Sequence, residues 1–170
     1  MKKLIVMAAF AVAGLVNAQT GFKAGVHAGL PIGDAGDGYS FNFGVDAAYL
    51  VDVAEGFKAG GTVGYSLFKS KEITTDAISF NNVVIVPATS YTPDNTSFIT
   101  IGGTAQYSFS ETIFGGLDLG YAIPNEGDGA VYFLPKVGYQ TETFEVYAGY
   151  RHIATEIAIA SVQLGFNYKF

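Results

Sequence analysis

The sequence predicts an all-β protein: a closed, up-and-down, antiparallel transmembrane β-barrel of about eight strands, preceded by a signal peptide. Three observations carry this reading. Apolar and polar residues alternate along most of the chain instead of recurring at helical spacing. Hydrophobic residues make up 49% and charged residues only 14%, where ordinary domains carry about a quarter charged. Yet after the leader no stretch has the about 20 apolar residues a membrane helix needs. Glycine (22), phenylalanine (14) and tyrosine (11) are abundant, which suits strands.

The leader comes first. MKKLIVMAAFAVAGLVNA places two lysines before an apolar run and small residues before a cut after Ala18, the order of a secretory signal peptide. The expected domains are therefore residues 1–18, the signal peptide, and 19–170, the barrel. No cysteine occurs, which excludes a lipoprotein leader, disulfides and thiolate zinc sites. Without Lys2 and Lys3 the chain carries 7 basic against 15 acidic residues, a net charge of −8. Such a chain is a poor partner for nucleic acid.

The strands follow in order. Alternation runs through 20–31, 40–51, 57–68, 98–109, 113–123, 131–140, 144–153 and 157–170. Tight turns fall at 51–56, 110–112 and 141–143. Longer connections fall at 32–40, 69–97 and 124–130, and a short one at 154–156. Short and long connections alternate, as in a meander with turns at one end and loops at the other. An apolar–Gly–aromatic triplet recurs at Gly64, Gly120, Gly138, Gly149 and Gly165, each time with glycine on the polar face. Pro135 sits in mid-strand, where it cannot donate to a ladder, and suggests a bulge or a misplaced boundary.

The polar face is mostly Gly, Ser, Thr, Asn and Gln. Its scattered charges of mixed sign include Lys23, Asp46, Lys58, Asp118, Lys136, Glu145 and Arg151, and His27 lies on the same face. A soluble barrel would show a densely charged face to water. Small residues and isolated opposite charges instead suit a narrow lumen, so these residues are expected inside. On the apolar face, pairs such as Phe43 and Tyr49 or Phe57 and Tyr65 lie six to eight residues apart. At a rise of about 3.4 Å and a tilt of about 40° this spans roughly 15–21 Å. The apolar band of known membrane barrels is slightly taller, about 25 Å.

The last strand is the most specific stretch. Val162, Leu164, Phe166, Tyr168 and Phe170 put an apolar residue at every second position up to a terminal aromatic. On these residues the chain resembles the small outer-membrane β-barrel proteins of Gram-negative bacteria, of the porin-family or outer-membrane-protein barrel kind. Ala18-Gln19 and the compact length are similar to Bacteroidetes-type members. The resemblance covers the whole of 19–170. It implies an outer-membrane location reached through the periplasm, with both termini periplasmic. It also implies contact with outer-membrane lipid and lipopolysaccharide. The five residues of the last strand then form a signal read by the barrel-assembly machinery.

Catalytic chemistry is sparse, and no enzymatic role and no cofactor are expected. His27 reads as a lumenal hydrogen-bonding residue. His152 faces outward near the loop end, as the base of outer-membrane lipid A deacylases does. Its outward neighbours on the last strand are Ala158 and Ala160, while Ser161 points inward, so the sequence offers no evident nucleophile within its reach. Asp34, Asp37, Glu126 and Asp128 lie in Gly-rich loops of the kind that can hold Ca²⁺, without matching an EF-hand. Within loop 69–97, ISF-NN-VVIV reads as a hairpin whose free edges could add a partner's strand. The expected function is structural, adhesive or ligand-binding, through the outer loops. The alternative is a narrow small-solute channel, since a barrel of about eight strands is usually filled by side chains.

Overall fold

The computed structural model describes residues 21–75, 78–80, 83–86 and 89–170. The leader at 1–18 and the Asn-Asn turn at 81–82 lie outside them. Twelve strands are described: β1 (Phe22–Ile32), β2 (Tyr39–Ala54), β3 (Phe57–Ser70), β4 (Ile73–Thr75), β5 (Ile78–Phe80), β6 (Val83–Val86), β7 (Thr89–Tyr91), β8 (Thr96–Ser108), β9 (Ile113–Pro124), β10 (Ala130–Gln140), β11 (Phe144–Ile153) and β12 (Ile159–Lys169). A single helical turn, α1 (Asp34–Gly38), interrupts the loop between β1 and β2.

Eight of the strands close into an antiparallel barrel in the order β1-β12-β11-β10-β9-β8-β3-β2. The first and last strands form the seam, from Lys23 opposite Lys169 to Ile32 opposite Ala160. The eight-stranded closed barrel read from the alternation is thus borne out. The four short strands lie in the long connection between β3 and β8, where β4 pairs with β7 and β5 with β6.

The start of β1, the end of β12 and the three tight turns lie at one end of the barrel, the turn end. There the chemistry is local. The expected turn at 51–56 narrows to Glu55-Gly56, because β2 runs on to Ala54; Gly56 takes φ +71, which glycine adopts without strain. In the next two turns hydroxyls replace missing backbone partners. Ser110 Oγ accepts from the Ile113 N–H at 3.0 Å, and Thr141 Oγ1 accepts from the Phe144 N–H at 3.1 Å. Pro135 makes no bulge. It lies opposite Leu117 on β9. Toward β11 the pairs Phe133–His152 and Lys136–Gly149 keep one register across it. The proline costs ladder bonds locally without displacing the strand.

The outward face is apolar: Val26, Val45, Val63, Ile101, Leu119, Val137 and Leu164 are all exposed. Aromatic rings form a belt at each end of this band. At the turn end Tyr107 packs on Phe109, Phe144 on Phe166, and Tyr168 on Phe170. At the loop end Phe41 packs on Phe43 and Phe133 on His152. A barrel in water would not expose such a surface. In a bilayer it meets hydrocarbon, and closure leaves no unpaired edge in the barrel sheet.

Candidate functional site

Because side chains alternate, every second residue of each strand enters the lumen. There the structure gathers the scattered charges into three clusters. Nearest the turn end, Lys23 Nζ donates to Glu145 Oε2 and to Gln106 Oε1, both at 2.7 Å. Gln106 Nε2 donates to Glu145 Oε1 at 3.0 Å, and Asn167 Nδ2 to Glu145 Oε2 at 3.2 Å. Lys169 Nζ stands 3.7 Å from the same carboxylate. In the second cluster Lys136 Nζ reaches both Asp118 oxygens at 2.7 Å. Thr104 Oγ1 donates to Asp118 at 2.6 Å, and the ammonium lies 5.5 Å from the centre of the Tyr147 ring. Charge-assisted bonds of this kind are the strong ones when water is excluded.

The third cluster brings His27, Asp46, Ser66 and Arg151 together. His27 Nδ1 meets Asp46 Oδ2 at 2.5 Å, and Nε2 meets Ser66 Oγ at 3.0 Å. Arg151 Nη1 donates to Ser66 Oγ, and Nη2 lies 3.6 Å from Asp46 Oδ1. Carboxylate, imidazole and hydroxyl stand in the order of a hydrolase triad. Ser66 is 0% exposed, however, and lines none of the cavities described here. Arg151 also occupies its oxygen. As built, the arrangement ties β1, β2, β3 and β11 together across the lumen.

The eight lumenal candidates therefore have these positions. Lys23, His27, Asp46, Asp118, Lys136, Glu145 and Arg151 are inside, in the three clusters. Lys58 sits at the rim of the turn end, with its side chain 45% exposed and 3.6 Å from Asp52. Inward glycines make room for the long side chains. A Cβ at Gly165 would lie 2.2 Å from the Tyr147 ring, and one at Gly44 would lie 2.7 Å from His27 Cε1. His152 lies on the outer face, packed at a tilt against Phe133 with ring centres 5.0 Å apart, while Ser161 is buried inside. Among the described residues no group of three or more Asp, Glu or His side chains converges to hold a metal ion.

Toward the loop end the lumen changes character. Phe68, Phe98, Tyr132, Leu134, Ile153 and Ile159 form a buried apolar plug. Phe68 and Phe98 meet edge to face with centres 5.7 Å apart. Sequence reading missed this layer, although it leaves a trace. Alternation breaks into consecutive apolar residues at Leu67-Phe68, Phe98-Ile99 and Val131-Tyr132-Phe133-Leu134. All of these lie toward the loop end. An apolar constriction excludes water and ions. Phe98→Ala is expected to raise ion conductance above that of the wild-type barrel in planar bilayers. Identical traces would show that the ionic clusters below, and not the plug, are the seal.

Above the plug the loops surround a cavity of about 880 Å³. Phe98, Tyr39, Ile159 and Ala35 give it an apolar floor. Asp34, Asp94, Glu126, Asp128 and Glu156 stand around its wall, and among the described residues no Lys, Arg or His lines it. The opposite mouth is smaller, about 70 Å³, and is lined by Lys23, Lys58, Lys169 and Glu145.

No family model matches the chain, and no curated protein matches it. Solved structures do. A structure described as de novo design of transmembrane β-barrels aligns over 88% of this chain and 95% of its own, with TM-score 0.54 and 12% identity. The crystal structure of Ail, the attachment invasion locus protein of Yersinia pestis, aligns over 88% of this chain and 99% of its own, with TM-score 0.52 and 12% identity. The backbone structure of the Yersinia pestis outer membrane protein Ail in a phospholipid bilayer nanodisc aligns over 87% and 99%, with TM-score 0.51 and 9% identity. With its closed eight-stranded sheet, apolar exterior and charged lumen, this chain has the fold of an outer-membrane β-barrel.

Proposed function

We propose that this protein is a non-enzymatic outer-membrane barrel of the small porin-family kind, whose loop end faces outward and binds a surface ligand. The observation that carries the reading is the long connection between β3 and β8. It forms two strand pairs, β4 with β7 and β5 with β6, beyond the barrel wall. Among the described residues each of these strands has one partner. Ile73 and Tyr91 are exposed there. Such an edge accepts an added strand from a partner. The plug across the lumen favours binding over conduction. Ail, which shares the fold, is described as an attachment invasion locus protein, so this scaffold is compatible with adhesion.

Deleting residues 74–95 is expected to abolish capture of surface ligands while the barrel still migrates heat-modifiably on gels. Capture by the shortened barrel equal to that by the intact one would overturn the reading.

The proposal extends to delivery. β12 would present Val162, Leu164, Phe166, Tyr168 and Phe170 on its outer row to the barrel-assembly machinery, with lipid and lipopolysaccharide as its later surroundings. The Phe170 N–H donates to Phe22 O at 3.1 Å, so this residue also helps lock the seam. Removing Phe170 is expected to lower the amount of folded barrel in cells several-fold while refolding into detergent micelles proceeds. Equal loss in both settings would make Phe170 a structural residue only.

A further inference from the structure

We infer that the cavity above the plug is a binding site for a cationic peptide segment that carries an apolar side chain. The inference rests on the reading of the loop end as a ligand-binding surface and gives that surface a ligand class. Its volume, about 880 Å³, falls within the range of about 300–1,000 Å³ for cavities that enclose a ligand. Two chemistries meet in it. The floor is apolar and aromatic, built by Tyr39, Phe98 and Ile159 over the plug. The wall carries Asp34, Asp94, Glu126, Asp128 and Glu156 and, among the described residues, no basic side chain.

The acids come from four different connections: the loop between β1 and β2, the approach to β8, the β9–β10 loop and the β11–β12 loop. They are dispersed, and no three of the described acids converge as metal ligands do. A point charge such as Ca²⁺ is poorly matched to that spacing. An extended chain with several separated positive charges matches it. The apolar floor supplies what a purely ionic surface lacks, a dry seat for an aromatic or aliphatic side chain. Lys71 donates to Gly36 O in α1 and offsets part of the wall's charge, which leaves the five acids of the wall in excess.

The test uses the full barrel refolded into zwitterionic nanodiscs and a fluorescent Arg-Lys-Phe-Lys-Arg peptide. Saturable binding is expected by anisotropy. The triple variant Glu126→Gln, Asp128→Asn, Glu156→Gln should weaken it by about tenfold or more. Raising ionic strength from about 0.01 to about 0.15 M, which shortens the Debye length from about 30 to about 8 Å, should weaken it as well. Replacing Phe in the peptide by Ser should weaken binding too, because the floor is then unused. Neutralising Glu111 and Glu142, in the turns at the opposite end, should change nothing. The site is overturned if the triple variant binds as the wild type does, if the turn-end variant loses as much, or if the Ser peptide binds equally. Capture of surface ligands by the triple variant, run in parallel, separates the two readings. Capture that persists while peptide binding never appears sinks the cationic site and leaves the binding role of the loops standing.

Discussion

Glu145→Leu is expected to destabilise the barrel by about 3–5 kcal/mol, the usual cost of stranding a buried charge. Glu145 accepts hydrogen bonds from Lys23, Gln106 and Asn167, and Lys23 is buried. Without the carboxylate the ammonium is left among side chains that cannot neutralise it. Urea unfolding of the refolded barrel in bilayers measures the loss. The double variant Lys23→Met, Glu145→Leu should regain most of it, because well-packed apolar replacements of a buried pair are often neutral. A single variant as stable as wild type would mean that the small mouth cavity beside Lys23 hydrates the ammonium in place.

Ile101→Arg addresses the other face. Ile101 is 58% exposed in the middle of β8, within the apolar band. In a bilayer, arginine there should cost about 2–4 kcal/mol, and the same change at Ile113, beside the turn end, only about 0–1 kcal/mol. The depth dependence separates lipid from water as the neighbour of this face. Equal small costs at both positions in bilayers would contradict a membrane-spanning band.

The strand count, the closure and the lumen-facing parity were legible because they all follow from one period of two. A strand that buries one face in a narrow lumen and turns the other to hydrocarbon has no register to slip into. What was not legible came from places where that period carries no information. The plug residues Phe68, Phe98 and Tyr132 are apolar on the lumen side, so the local pattern loses its contrast. α1 is a five-residue turn of Asp, Ala and Gly, a composition that also suits a loop. The grouping of the lumenal charges depends on which strands face each other across the barrel. His27 and Ser66 lie 39 residues apart, and no spacing rule joins them. In the sequence Pro135 suggests a bulge or a misplaced boundary, because a proline removes a ladder donor. The register held because the ladder on its β9 side is continuous.

The seam between β1 and β12 has a kinetic consequence. Loop closure costs more entropy the longer the chain between the paired segments, and folds rich in distant contacts form slowly. Here the first strand finds its second neighbour only when the last strand exists. The ionic centre is divided the same way, with Lys23 on β1 and Glu145 on β11, 122 residues apart. A partly made chain therefore has no partner for its first ammonium and two open sheet edges. Such a chain gains little by folding early and is prone to stick to others. It is expected to fare best when it is held unfolded until β12 is available, so the time it spends waiting matters to how much of it is lost.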